Sequence, residues 1–262
     1  MLSSDAAQKF NPARADEYRA QSRIALAGYD ACHELAACML AAVVGPGTSA
    51  HVLVVGAGGG AQEIITAGAL EPAWRFTAVD PSQPMMDIAI AQLQQHSLLG
   101  RTDIHLGYVD DLPNVRHFAA ATLIGVLHHL PGDAAKRHIL HSIAARLMPG
   151  APLILAGNRY AYADQPILLA AWGERWRMQK NTPDEVQAKL GNILQGADPP
   201  ASEEAVAALL AAAGFERPTW FFSSLFWGAC LAKRASNEGA PPSSVIDKDG
   251  GPEMGLPPSW RQ

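Results

Sequence analysis

The sequence predicts an α/β fold, with a mostly parallel sheet covered by helices on both faces. Three observations predict it. Short apolar, β-branched runs alternate with helix-like segments from residue 51 to 156. The first run, Val52-Leu53-Val54-Val55, passes straight into Gly56-Ala57-Gly58-Gly59-Gly60. The second run ends on an acidic residue, Asp80. In sheets built this way, ligands bind at the carboxyl ends of the strands.

The elements follow in order. Residues 5–44 read as helix, because apolar positions such as Ile24, Leu26, Leu35, Leu40 and Val43 recur at roughly helical spacing. Asn11-Pro12 is the expected start or break, and Gly45-Pro46-Gly47 the end. His51–Val55 is a buried strand. Ala61–Ala69 is a helix. Trp74–Val79 is the second strand. Pro84–His96 is a helix with Met85, Met86, Ile88, Ala89 and Leu93 on one side. Asp103–Tyr108 and Ala119–Leu127 are the third and fourth strands, Asp133–Leu147 a helix, and Ala151–Ala156 the fifth strand. Residues 159–198 hold no strand-like run and read as two helices. Residues 202–213 form an Ala/Leu helix with Gly214 as its C-cap, and 218–234 reads as two strands.

This divides the chain into five parts. Residues 1–45 are a helical cap, 46–158 the nucleotide-type core, 159–201 a helical lid or substrate insertion, and 202–235 the last helix and strand pair of the core. The tail 236–262 holds 13 Pro, Gly or Ser among its 27 residues, so it is expected to be disordered.

Composition excludes several classes. At 48% hydrophobic residues the chain can fill a core. A net charge of −5 argues against a nucleic-acid partner. Three cysteines, Cys32, Cys38 and Cys230, suggest neither a disulfide framework nor a zinc site. The start, MLSSDAAQKFN, lacks the pattern of a secretory signal, and Leu35–Val44 is too short to span a bilayer. A cytoplasmic protein without membrane attachment is expected. Oligomeric state is open, a homodimer included.

The glycine turn brings backbone close to a ligand and presents N–H groups at a helix start. It fits two templates. Gly56-x-Gly58-x-x-Ala61 matches the dinucleotide fingerprint. Gly56-x-Gly58-x-Gly60 matches the first motif of S-adenosyl-L-methionine (SAM) sites. Asp80 can accept hydrogen bonds from ribose hydroxyls, or Asp80-Pro81-Ser82 can simply cap the next helix.

The motif series resembles the class I SAM-dependent methyltransferases. Val54–Gly60 carries the resemblance, followed by Val79-Asp80-Pro81-Ser82-Gln83-Pro84-Met85-Met86-Asp87-Ile88-Ala89, Gly107-Tyr108-Val109-Asp110-Asp111-Leu112-Pro113 and Gly125-Val126-Leu127-His128-His129-Leu130-Pro131. At the amino end, Phe10, Tyr18, Arg23 and Gly28-Tyr29 are similar to a subgroup that includes carboxy-SAM synthase. The resemblance implies a Rossmann-like fold with seven strands, the last one reversed, and SAM as cofactor. It implies that Gly56, Ala57 and Gly58 lie against the methionine part and that Asp80 binds the ribose. Pro81 and Met85 would pack near the adenine, with Val109 at its rim, and Gly125 and Val126 beside the sulfonium. Tyr18 and Arg23 would close over the amino-acid end. Two positions depart from the family. Val54 stands where an Asp or Glu is usual, and Tyr108 where an Asp is usual. Tyr108 could stack on the adenine or cover it, and the carboxylate that bonds its amino group is Asp110, Asp111 or absent.

Methyl transfer is an in-line displacement, so the chain supplies position and an apolar wall. His128 or His129, after the fourth strand, could take a proton from the acceptor, or cap the following turn. His138 and His141 share a helix face, but no carboxylate stands at a ligand-like offset, so no metal is expected. Tyr160, Trp172 and Trp176 either line a pocket for a small-molecule acceptor or anchor the insertion on the sheet. Arg175, Arg177 and Lys180 could bind an anionic acceptor or form a solvated face. An NAD(P)-dependent oxidoreductase and a non-catalytic SAM-fold scaffold are the competing readings.

Overall fold

The computed structural model describes residues 21–115 and 117–236; the expectations for Phe10, Tyr18 and the tail after Ser236 fall outside them. Seven strands form one sheet: β1 (His51–Val55), β2 (Arg75–Asp80), β3 (Thr102–Leu106), β4 (Ala120–Ile124), β5 (Pro152–Asn158), β6 (Thr219–Ser224) and β7 (Trp227–Lys233). Their order is β3-β2-β1-β4-β5-β7-β6. The first five strands run parallel, β7 is antiparallel to β5, and β6 is antiparallel to β7. The chain steps outward from β1 to β3, then returns to lay β4 against β1. The carboxyl ends of β1 and β4 therefore flank a topological switch point, where such sheets open a crevice.

The helices are α1 (Tyr29–Val44), α2 (Gln62–Leu70), α3 (Gln83–Gln95), α4 (Gly132–Arg146), α5 (Pro166–Met178), α6 (Pro183–Gly196) and α7 (Glu203–Ala212). Successive strand residues face opposite sides of a sheet, so each buried strand feeds two cores. Val52 and Val54 join Cys32, Leu40, Ile64, Met86 and Leu93, the α1–α3 side. Leu53 and Val55 join Leu140, Ile143, Leu209 and Leu210, the α4 and α7 side.

Three expected boundaries change. Residues 21–25 are helical, but α1 starts afresh at Tyr29, because Gly28 adopts a left-handed conformation (φ +81°). The break in the described part of the amino-terminal helix thus lies at Gly28. β3 stops at Leu106, where Tyr108 begins a capped single turn. β4 stops at Ile124 rather than Leu127, because Gly125 turns the chain at φ +76°. Among the described residues, no helix is long and apolar enough to cross a membrane.

Candidate active site

The glycine turn is fastened to the two elements beside it. Gly56 N–H and Ala57 N–H donate to Val79 O at 2.8 and 3.2 Å, and Gly59 N–H donates to Met85 O at 3.1 Å. Gly58 N–H donates to Asp80 Oδ2 at 3.0 Å, and Ser82 N–H to Asp80 Oδ1 at 2.8 Å. Each carboxylate oxygen thus accepts one backbone donor and keeps acceptor capacity for a ligand. Burial pushes the Asp80 carboxyl above its usual range, and the two backbone N–H groups oppose that shift. The cap reading and the ligand reading of Asp80 coexist, because the Ser82 bond uses only part of one oxygen.

Two positions of this turn have no room for a side chain. A Cβ on Gly58 would stand 2.5 Å from Asp80 Oδ2 and 2.6 Å from Met85 Cβ. A Cβ on Gly56 would collide with Val126 Cγ2. Gly56, Gly58, Asp80, Met85 and Val126 are thereby brought together at the carboxyl ends of β1, β2 and β4. Pro81 is half-buried beside them, and Gly125 lies under Trp227, whose ring would stand 3.4 Å from a Cβ there. Ala57 is fully buried, so it contributes backbone only.

The loop after β3 is arranged differently. Tyr108 is 43% exposed, and its N–H donates to Asp111 Oδ2 at 2.7 Å. Val109 is buried in the α4-side core. Asp110 turns to α4: its Oδ2 meets His138 Nε2 at 2.6 Å, and Ser142 Oγ donates to its Oδ1. Those bonds and the nearby Arg146 hold the Asp110 carboxyl below its ordinary value. Sequence spacing hid this partner of His138, since 28 residues separate the two. Among the described residues, no cluster of three or more His, Cys, Asp or Glu could hold a metal ion.

The two histidines after β4 have opposite surroundings. His128 is 4% exposed, and Asn158 N–H points at its Nδ1 from 3.4 Å. Burial, with His129 and Lys136 adding to it, holds its pKa well below the ordinary 6.5. His129 is exposed, its ring 4.3 Å from that of His128. A latch that the sequence did not announce holds this turn. Asp198 N–H donates to His128 O at 2.7 Å, and Asp198 Oδ2 accepts from Gly132 N–H at 2.6 Å and from the buried Lys136 Nζ at 2.8 Å. A lysine on α4 and an aspartate 62 residues later leave no local pattern to find.

The residues assigned to an acceptor pocket sit as follows. Trp172 is buried, donates Nε1–H to Ala25 O at 2.8 Å, and packs on Tyr162 and Phe226. Trp176 is buried under Lys189, whose Nζ lies 5.0 Å from its ring. Tyr160 Oη donates to Glu203 Oε1 at 3.2 Å. Arg175 donates to Ile24 O at 2.8 Å and Arg23 O at 3.0 Å, so it caps the end of the helical stretch 21–25 instead of facing solvent. Arg23 pairs with exposed Asp30 at 2.8 Å and lies over the Tyr29 ring.

With this geometry in view, residues 53–153 match the family model of a methyltransferase domain. None of the curated proteins matches the chain. Among solved structures, a candidate O-methyltransferase of Nostoc punctiforme is 14% identical with a TM-score of 0.62, over 85% of this chain and 60% of that one. An O-methyltransferase family protein of Burkholderia thailandensis is 18% identical with a TM-score of 0.56, over 86% and 64%. The mitomycin 7-O-methyltransferase is 21% identical with a TM-score of 0.55, over 77% and 54%. These likenesses show the fold of the methyltransferase domain and of the strands that follow it. The chain spans between 54% and 64% of the length of these three proteins.

Proposed function

We propose that the chain transfers a methyl group from SAM to a small-molecule acceptor. The observation that carries this reading is the carboxylate of Asp80. It is held between Gly58 N–H and Ser82 N–H over a turn with no room for a Cβ at Gly56 or Gly58. A bidentate acceptor in a glycine cradle suits the two vicinal hydroxyls of a ribose.

When bound, SAM supplies the electrophilic methyl. The chain's own residues do the rest. Asp80 binds the ribose, Met85 and Pro81 flank the adenine, and Gly56 and Gly58 let backbone approach the methionine part. Val126 and Trp227, against Gly56 and Gly125, form the apolar wall on the β4 side. Excluding water there matters because the acceptor must meet the methyl group in line. With the Asp110 carboxylate turned to α4, the exposed Tyr108 ring is the element of this loop left to cover the adenine. Where the acceptor must lose a proton, His129 is the imidazole a substrate can reach; His128 is enclosed and kept neutral.

The region 159–201 acts in this reading as a lid fixed at two points. Trp172 and Arg175 dock it on residues 23–25, and Asp198 ties its far end to the turn after β4. The acceptor would lie beneath it, beside Tyr160. The mitomycin enzyme's named acceptor, a small molecule, supports the same class of substrate here.

Asp80→Ala tests the ribose assignment. A buried charge-assisted hydrogen bond contributes about 1.5–3 kcal/mol, so the dissociation constant for SAM should rise at least tenfold. An unchanged constant would remove Asp80 from the site.

A further inference from the structure

A buried amide at the end of β5 is only half satisfied. Asn158 is the last residue of that strand and is 6% exposed. Its Nδ2 donates to Tyr162 Oη at 2.7 Å. Its Oδ1 is buried and has no hydrogen-bond partner among the described residues. Such an oxygen has given up its hydrogen bonds to water and gained none in return. Tyr162 Oη accepts from the amide, so its own proton is left to donate. Burial pushes the Tyr162 hydroxyl up to about 12, so it keeps that proton at neutral pH. The pair thus offers one acceptor and one donor.

The sheet puts this pair beside the crevice. Gly125 N–H donates to Ala156 O at 2.9 Å, and Asn158 follows two residues on, roughly 7 Å along the strand. Asn158 pairs with Trp227 across β5 and β7, and the Trp227 ring lies against Gly125. Ile154 and Ala156 belong to the α1–α3 side, and by alternation Asn158 faces the same way. Tyr162, Trp172 and Phe226 form an aromatic cluster, with ring centroids 4.9 Å apart for Tyr162 and Phe226 and 5.3 Å for Trp172 and Phe226. His128, whose Nδ1 faces the Asn158 N–H, is kept neutral by its burial. A charged ligand group would be stranded in these surroundings. A neutral O–H or N–H on a ring-sized apolar body would complete the amide.

We propose that Asn158 and Tyr162 form the polar anchor of the methyl acceptor's pocket, selecting an uncharged aromatic molecule that presents a hydroxyl or N–H to Asn158 Oδ1. This rests on the SAM reading above and names the class of acceptor within it. Trp172 rides on α5, so the acceptor enters as α5 lifts from Ala25. The anchor then trades its unpaired oxygen for a ligand hydrogen bond, and the aromatic cluster packs against the ligand ring.

The test is titration of the full chain and of Asn158→Leu, which keeps the side chain's size, each loaded with S-adenosylhomocysteine. Indole and N-methylindole serve as probes, followed by NMR, because they differ in the one N–H. The ratio of their affinities is compared between the two proteins, which cancels their difference in water. The preference for indole should fall about fivefold or more in Asn158→Leu, the size expected when a buried oxygen loses its donor. The affinity for S-adenosylhomocysteine should stay unchanged. The same ratio in both proteins overturns the proposal, as it would if a buried water served Asn158 Oδ1. An unmodified protein that binds neither probe overturns it too. So does a variant that loses S-adenosylhomocysteine, which would make Asn158 a part of the scaffold. If the unmodified protein does not take up S-adenosylhomocysteine, the SAM reading itself falls, an outcome seen before either probe is added. Should Asn158→Leu not fold, Asn158→Val is read by the same ratio, which must fall because the oxygen is gone.

Discussion

His128 and His129 are adjacent in the sequence and opposite in environment, one enclosed against Asn158 and Trp227, the other at the surface. The enclosure has a measurable consequence. The folded-state pKa of His128 is lowered, so the unfolded chain binds the proton more readily. Its stabilising contribution is complete above the ordinary value of 6.5 and is lost as pH falls through that value. Urea unfolding at pH 7.5 and 5.5 should show the loss, and His128→Gln should reduce it. A variant with an undiminished slope would assign the effect to another group. At this scale the glycine turn after β1 and the acidic residue ending β2 were legible, because each is a local feature of one strand end. The orientation of Asp110 was not legible. Its partners, His138 and Ser142, come from a helix 28 and 32 residues away, and only the packing of α4 selects them. The Lys136–Asp198 latch was hidden for the same reason.

Among the elements, the helices of the core and all seven strands could be read from apolar spacing, with ends shifted by a few residues where Gly28 or Gly125 turned the backbone. Spacing could not assign the rings of α5. Trp172 and Trp176 show helical periodicity whether they line a pocket or dock a helix. The structure gives Trp172 a docking contact, its Nε1–H on Ala25 O, and gives Arg175 two carbonyls of residues 23 and 24. These bonds satisfy chain-end carbonyls of the helical stretch 21–25 that would otherwise need water. Trp172→Phe removes one such bond and keeps most of the ring. It should cost about 1–2 kcal/mol and lower the melting temperature by a few degrees. A melting temperature equal to that of the unmodified protein would show that the contact does not hold α5 in place.

For the whole molecule, the sheet order places the switch point between β1 and β4, and Gly56, Asp80 and Gly125 stand at the carboxyl ends of β1, β2 and β4. The two strand-like runs after Gly214 were legible, whereas the reversal of β7 was implied only by the resemblance to the SAM-dependent methyltransferases. The acceptor was not legible, since its pocket depends on how residues 159–201 meet the turns after β4 and β5. The central claim is that this crevice takes SAM and not NAD. Isothermal titration of the full chain with each ligand separately tests it most directly. The account predicts saturable binding of SAM at one site per chain and no heat from NAD; binding of NAD with no response to SAM would contradict it.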